Sequence, residues 1–269
     1  MRVIVCVKQI PDPEIASSLF KVDEAARKVI PVPGLPMVIS PFDEQAVEAA
    51  LRIKDKADAD AVTITILTLG PESALTILKG ALSMGADEGV HLCDAALEGA
   101  DSYATAVALT HAIRKIGDHD LILTGRQAAD WDAGVVGCGI AELLDIPAVT
   151  LAKDVQVDGP VVRVERVAGD GVEVVKAPLP AVVTVAHELG QPRKASLRET
   201  MRTAQKPVAV WSAADLGLAA GQVGEAGSRR TRERLYAPVS DIFCEFIEGE
   251  TPQQQAAALA HRLHEDGLV

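Results

Sequence analysis

Five short runs of apolar, largely β-branched residues punctuate the first 152 positions: RVIVCV (2–7), AVTITILTLG (61–70), GVHLC (89–93), DLILTG (120–125) and PAVTLA (147–152). Longer segments of helical periodicity separate them. This alternation constrains the fold more than any other feature, because such runs read as strands buried on both faces. Strands of that kind, joined by helices, give an α/β fold: a parallel sheet with right-handed crossovers and helices on both faces. Ser40 stands where the N-cap of the first long helix belongs, Pro41 is its first residue, and Asp43 occupies the capping-box position. Ala46, Val47, Ala50, Leu51 and Ile53 form its predicted buried stripe. Pro71 opens a second helix. Asp101 or Ser102 opens a third, with Val107, Ile113 and Ile116 on one side, and Gly134 begins a fourth that runs to Leu144.

After Leu151 the pattern changes. VVRVERVAGDGVEVVKA alternates about Gly169-Asp170-Gly171 and predicts an antiparallel hairpin. Val162 and Val164 share one face, Val172 and Val174 likewise, and Arg163, Glu165 and Glu173 face the other way. LPAVVTVA (179–186) is another buried strand, and beyond His187 the periodicity fades. The segment 217–240 is rich in glycine and charge and cannot build a core. A terminal helix then follows, with Thr251 as cap, Pro252 first, Gln254 completing a capping box and Gly267 past its end. An arm that cannot fold on itself lies on something else, so a partner chain is expected.

The charge of -12 disfavours nucleic acid as a partner. Cys6, Cys93, Cys138 and Cys244 have no CxxC spacing, which fits a reducing cytosol better than a zinc site or disulfide scaffold. The six histidines are dispersed, and there is no GxSxG or Walker A motif. No apolar run is long enough for a signal peptide or a membrane span. With only 3% aromatic residues, Ala, Val, Leu and Ile must fill the core.

LILTGRQAADWDAGVVGCGIAELL (121–144) is the most informative stretch. It leaves the carboxyl end of a strand, where open α/β sheets bind ligands. The helix start that follows presents unpaired N–H groups and can take a phosphate without lysines. Gly134, Gly137 and Gly139 allow a ligand or a neighbouring strand to come close. Asp130 and Asp132 can cap the helix or accept bonds from ribose hydroxyls; the alternative is that the aspartates only cap and the glycines only pack. The glycine spacing is a poor match to a dinucleotide fingerprint. Arg229, Arg230, Arg232 and Arg234 read as a solvated charge run.

Taken together, VIVCVKQIPDP, SPFDEQAVEAALRIKD, ILTLGPESALTILKGALSMGAD, the 121–144 stretch, VERVAGDGVEVVKAPLPAVVTVAHELGQPRKASL and KPVAVWSAADLG resemble, in order and spacing, the β subunit of electron transfer flavoprotein. The resemblance covers nearly the whole chain. It implies one half of a heterodimer whose larger α subunit makes most contacts to an FAD. Such a pair is a cytoplasmic electron carrier, not an enzyme, moving electrons from flavin dehydrogenases to a quinone reductase or another acceptor. The β subunit itself holds AMP or, in electron-bifurcating members, a second FAD. By the family pattern that nucleotide lies against Cys6 and Lys8; Ser40, Pro41, Phe42 and Asp43; Leu69; and Gln127, Ala128, Ala129, Asp130, Trp131, Asp132, Ala133, Gly134, Val135, Val136, Gly137 and Cys138. Phe42 and the Pro11–Pro13 turn resemble β-side contacts to the α-bound flavin. Leu197, in QPRKASLRET, stands where an apolar anchor for dehydrogenases is expected. Residues 1–190 would be the nucleotide-binding core, and 191–269 the recognition segment and the arm that wraps the partner.

Five positions depart from the family pattern. Arg198 replaces a common proline, Val135 and Val136 replace polar residues, Trp131 fills a small or acidic position, and Gly169 stands where an acid is usual. An ATP-pyrophosphatase type of enzyme would need a glycine- and serine-rich phosphate loop where KQIPDP stands. A non-redox nucleotide-binding regulatory module would need neither arm nor hairpin.

Overall fold

The computed structural model describes residues 1–16, 19–30, 34–58, 61–238 and 243–269. In chain order the elements are β1 (Arg2–Val7), β2 (Gln9–Pro11), β3 (Lys21–Asp23), β4 (Lys28–Ile30), β5 (Met37–Ile39), α1 (Pro41–Lys56), β6 (Thr63–Leu69), α2 (Leu75–Met84), β7 (Glu88–Leu92), α3 (Ser102–Ile116), β8 (Leu121–Gly125), α4 (Val136–Leu144), β9 (Ala148–Asp158), β10 (Val161–Ala168), β11 (Gly171–Pro178), β12 (Ala181–Val185), α5 (Leu197–Thr203), β13 (Val208–Trp211) and α6 (Pro252–Glu265). The main sheet runs β11-β10-β9-β12-β8-β1-β6-β7-β13. Its pairings are parallel from β9 through β12, β8, β1, β6 and β7 to β13, and antiparallel in the β9-β10-β11 meander.

β1 is central, and its side chains alternate between two cores. Val3, Val5 and Val7 pack with α1 and α2, whereas Ile4 and Cys6 pack with α3 and α4. The predicted stripe of α1 is buried in the first of these cores. Ile113 is buried in the second, and Val107 and Ile116 pack against it. Small residues at the helix–sheet contacts let the leucine and isoleucine side chains interdigitate without aromatic bulk.

Several local expectations are corrected. Ser40 is the N-cap residue of α1, but its side chain makes no capping bond. Asp43 completes no capping box; it is drawn away to two strand ends. α4 begins at Val136, two residues later than expected, with Val135 at the N-cap and no side-chain cap, so neither Asp130 nor Asp132 caps it. In the hairpin, a two-residue turn pairs Ala168 with Gly171, Val164 with Val175 and Val162 with Ala177. Glu173 therefore shares a face with Val162 and Val164. Val172 and Val174 share the face of Arg163 and Glu165 and are exposed. Thr251 caps α6 as expected, but Gln254 accepts from Glu250 N instead of the cap residue. Beyond His187, α5 packs on α2 and β13 adds an edge strand beside β7, neither of which the sequence reading placed. Residues 229–238 and 243–249 carry no regular structure, and α6 has no buried residue. Among the described residues no helix is long and apolar enough to cross a membrane.

Candidate functional site

β1, β6 and β8 end at a cleft of about 1460 Å³. Of the residues singled out from sequence, Cys6, Lys8, Asp43, Leu69, Gln127, Ala128, Trp131, Ala133, Gly134, Val136 and Gly137 line it. Ser40, Pro41, Phe42, Ala129, Asp130, Asp132, Val135 and Cys138 flank these residues without lining the cleft. The opposite wall comes from the start of α3 and from residues 220–232. The site thus sits at strand carboxyl ends, where parallel sheets bring ligands and helix N-termini together.

Asp43 fixes the geometry of this end of the sheet. Its Oδ2 accepts the Lys8 backbone N–H at 2.8 Å and its Oδ1 accepts that of Gly125 at 3.0 Å. Burial pushes the Asp43 carboxyl up to about 7, against the two amides, which favour the ionised form. Burial, with Asp43 beside it, also pushes the Cys6 thiol up, so Cys6 is a protonated core side chain. A Cβ at Gly125 would lie 2.4 Å from Asp43 Oδ1 and 2.7 Å from Phe42 Cβ, so only glycine allows this clamp.

The loop after β8 folds on itself. Asp132 N donates to Ala128 O at 2.8 Å, and Gln127 Nε2 donates to Asp132 Oδ1 at 2.7 Å. Asp132 takes a left-handed φ of 51°. Lys8 Nζ meets both oxygens of Asp130, at 2.6 and 2.8 Å, and so ties the loop to the end of β1. That pair consumes the lysine charge. What α4 offers the cleft is the uncapped amide end at Val136 and Gly137. An uncapped helix N-terminus is an acceptor site for an anion, so the donor set fits a phosphate held by backbone amides. Gly137 also has a packing role: a Cβ there would lie 2.7 Å from Thr124 Oγ1 and 2.9 Å from Thr184 Cγ2.

Phe42 lies on the α1 side of the same strand ends, under the Arg126 guanidinium at 4.8 Å from the ring centroid. Arg126 also approaches His187 Nδ1 at 3.5 Å. Leu197 is remote from the cleft, at the start of α5. It is 79% exposed, and Met201, one turn later, is 72% exposed. Glu48, buried on α1, fastens the chain leading to Leu197: Arg193 donates to it from N at 3.1 Å and from Nε at 2.8 Å. Burial opposes the charge on Glu48, yet Arg193 and Arg52 hold its carboxyl below the ordinary value.

Several cleft residues were not singled out from sequence. Gly70 follows the last residue of β6 and Gly125 closes β8, and a glycine at a strand end is a readable signal. Asp101 was expected only as a cap; it does cap α3, and Arg229 N and Arg230 N donate to its Oδ2 at 2.9 and 3.0 Å. The arginine run is therefore fastened to the core and not simply solvated. Arg27 and Arg232 meet across 205 positions of sequence, a contact no local signal announces.

Residues 32–216 match the family model described as Electron transfer flavoprotein domain. Over its full 269 residues the chain is 35% identical to the caffeyl-CoA reductase-Etf complex subunit CarD of Acetobacterium woodii, covering 100% of both chains. It is 38% identical over 244 residues to the electron transfer flavoprotein subunit beta of Megasphaera elsdenii, with 88% of each chain covered. To the protein FixA of Azorhizobium caulinodans it is 36% identical over 246 residues, 88% of this chain and 85% of the relative.

Proposed function

The chain belongs to the electron transfer flavoprotein β-subunit family, and on that premise we propose that it pairs with an α subunit as an electron carrier and holds an adenine nucleotide in the cleft. The observation that carries the nucleotide reading is the uncapped start of α4 at Val136 and Gly137, facing a cleft in which the nearby Lys8 is already paired with Asp130. Backbone amides would hold the phosphate there, with Cys6, Leu69 and Gly70 as the floor. The bound α-side FAD supplies the redox chemistry. This chain's part is to position it, shield it and present a surface to its electron donor. Phe42 under Arg126 offers a nonpolar ring beside a fixed positive charge, a pair that would shield a flavin brought there by the partner and tune its potential.

At about 1460 Å³ the cleft exceeds the ~300–1,000 Å³ usual for a small-molecule site. It has room for AMP or FAD, and a second reading places FAD there, as an electron-bifurcating carrier using NADH would need. Leu197 and Met201 form an exposed apolar pair for a dehydrogenase to seat, a contact weak enough to release after each transfer. One relative is named as part of a caffeyl-CoA reductase complex. By analogy we assign the partner here to the flavin dehydrogenases, with a quinone reductase or other acceptor downstream and the complex in the cytoplasm. Co-expression with a neighbouring α-subunit gene tests the proposal. A yellow 1:1 complex with a flavin spectrum supports it; a colourless chain that hydrolyses ATP alone contradicts it.

A further inference from the structure

Arg27 and Arg232 each donate from Nη1 to the other's backbone carbonyl oxygen, both at 2.7 Å. The Arg232 guanidinium also lies over the Trp131 ring, 4.6 Å from its centroid. All three residues line the cleft, and they come from three separate places: the turn between β3 and β4, the loop after β8, and the C-terminal arm. Just upstream the arm is pinned by backbone bonds, from Arg229 N and Arg230 N to Asp101 Oδ2 and from Asp101 N to Ser228 Oγ at 2.8 Å. Pinning through the backbone leaves the Arg230 side chain facing the cleft as well.

Carboxylates also line this mouth, but none forms a close ion pair with its arginines. Lys8, by contrast, is matched by Asp130. Among the described residues no carboxylate lies within 4.0 Å of the guanidinium nitrogens of Arg27, Arg230 or Arg232. Backbone carbonyls accept hydrogen bonds but do not neutralise a guanidinium, and like charges held along one seam repel. A phosphate is the partner that satisfies such a fork, because charge-assisted bonds to guanidinium are strong and directional.

We propose that Arg27, Arg232 and Trp131 form a latch that closes the cleft over its nucleotide, with the phosphate seated on the α4 amides serving also as the counter-ion of the two guanidiniums. The inference rests on the nucleotide reading above and adds what holds the arm down: the occupant itself. Release then requires the arm to lift, and added salt, which screens the exposed charges, speeds it.

The test uses the full chain purified with its partner subunit. Release of the copurified nucleotide, AMP or FAD as mass spectrometry identifies it, is followed by dilution and rapid filtration across a range of salt. Arg27→Gln and Arg232→Gln are expected to speed release about tenfold and to flatten its salt dependence. Trp131→Leu speeds release and keeps the salt slope. Arg234→Gln, which alters an arginine stacked on Tyr236 outside the cleft, leaves both unchanged. Wild-type rate and slope in both arginine-to-glutamine variants would overturn the latch while leaving the nucleotide site standing. A wild-type complex without nucleotide would overturn both.

Discussion

The carboxylate of Asp43 accepts the backbone N–H of Gly125 at 3.0 Å, across 82 residues of sequence. Its other oxygen takes the N–H of Lys8. One side chain at the start of α1 thus sets the spacing between the ends of β1 and β8, on which the cleft opens.

The clamp has a pH signature. Asp43 is raised by burial to about 7 in the folded chain, and an unfolded aspartate titrates at about 3.9. The folded state therefore holds a proton that the unfolded state gives up. Its stabilising effect is complete below about pH 4 and lost as pH rises through about 7. Relative to Asp43→Asn, wild-type stability is expected to fall across that window by up to about 1.4 kcal/mol per pH unit. Urea denaturation of both proteins at about pH 4.5, 6 and 7.5 measures this. A difference that does not change with pH contradicts it.

Gly125→Ala forces a methyl group onto Asp43 Oδ1 and the Phe42 backbone carbon, 2.4 and 2.8 Å from the ideal Cβ position. A cost of about 2–3 kcal/mol and a drop in Tm of several degrees are expected. Gly169→Ala, at a turn with nothing within 4 Å, serves as a neutral control. Thermal melts that shift equally for the two variants would remove the argument for close approach.

Arg193→Ala leaves the buried Glu48 carboxylate with Arg52 alone. Loss of about 1–3 kcal/mol is expected. More tellingly, proteolysis should appear between Gly190 and Leu197, because the segment leading to α5 has lost its anchor on α1. Arg198→Ala, which removes no such anchor, should cleave at the wild-type rate.

Ending the chain after residue 232 removes α6, which has no buried residue, along with Phe243 and Phe246, which are 93% and 84% exposed. The core should melt within about 2 °C of wild type, since little of its packing is lost. Copurification with the partner subunit should fall at least about tenfold if, as proposed, the arm lies on that subunit and its exposed apolar groups are covered there. The cut must not fall earlier: Val223 is fully buried and Glu225 N donates to Glu98 O at 3.0 Å.

The sheet and its helices were legible because β-branched runs and apolar stripes are local patterns, and β1, β6, β8 and α1 obey them. The candidate site was legible in outline: the strand end, the glycines and the helix start singled out from sequence meet at one cleft. Asp43 shows where local reading fails. In sequence it is a capping-box acid, but two amides, 35 and 82 residues away, offer a buried carboxylate better partners. The hairpin was read with both valine pairs alike, yet the two-residue turn at Gly169 and Asp170 sets a register that leaves Val172 and Val174 outside. β13 is a four-residue edge strand whose burial comes from β7, so VAVW alone gave no alternation to detect. The pairing of Arg27 with Arg232 exists only once the arm has crossed the cleft.

Counting the nucleotides in the purified complex tests the account most directly. The complex is denatured, and its small molecules are separated and weighed against protein. The account predicts one FAD and one further adenine nucleotide, AMP or a second FAD, per pair of subunits. A single FAD with no second adenylate in stoichiometric amount would contradict it.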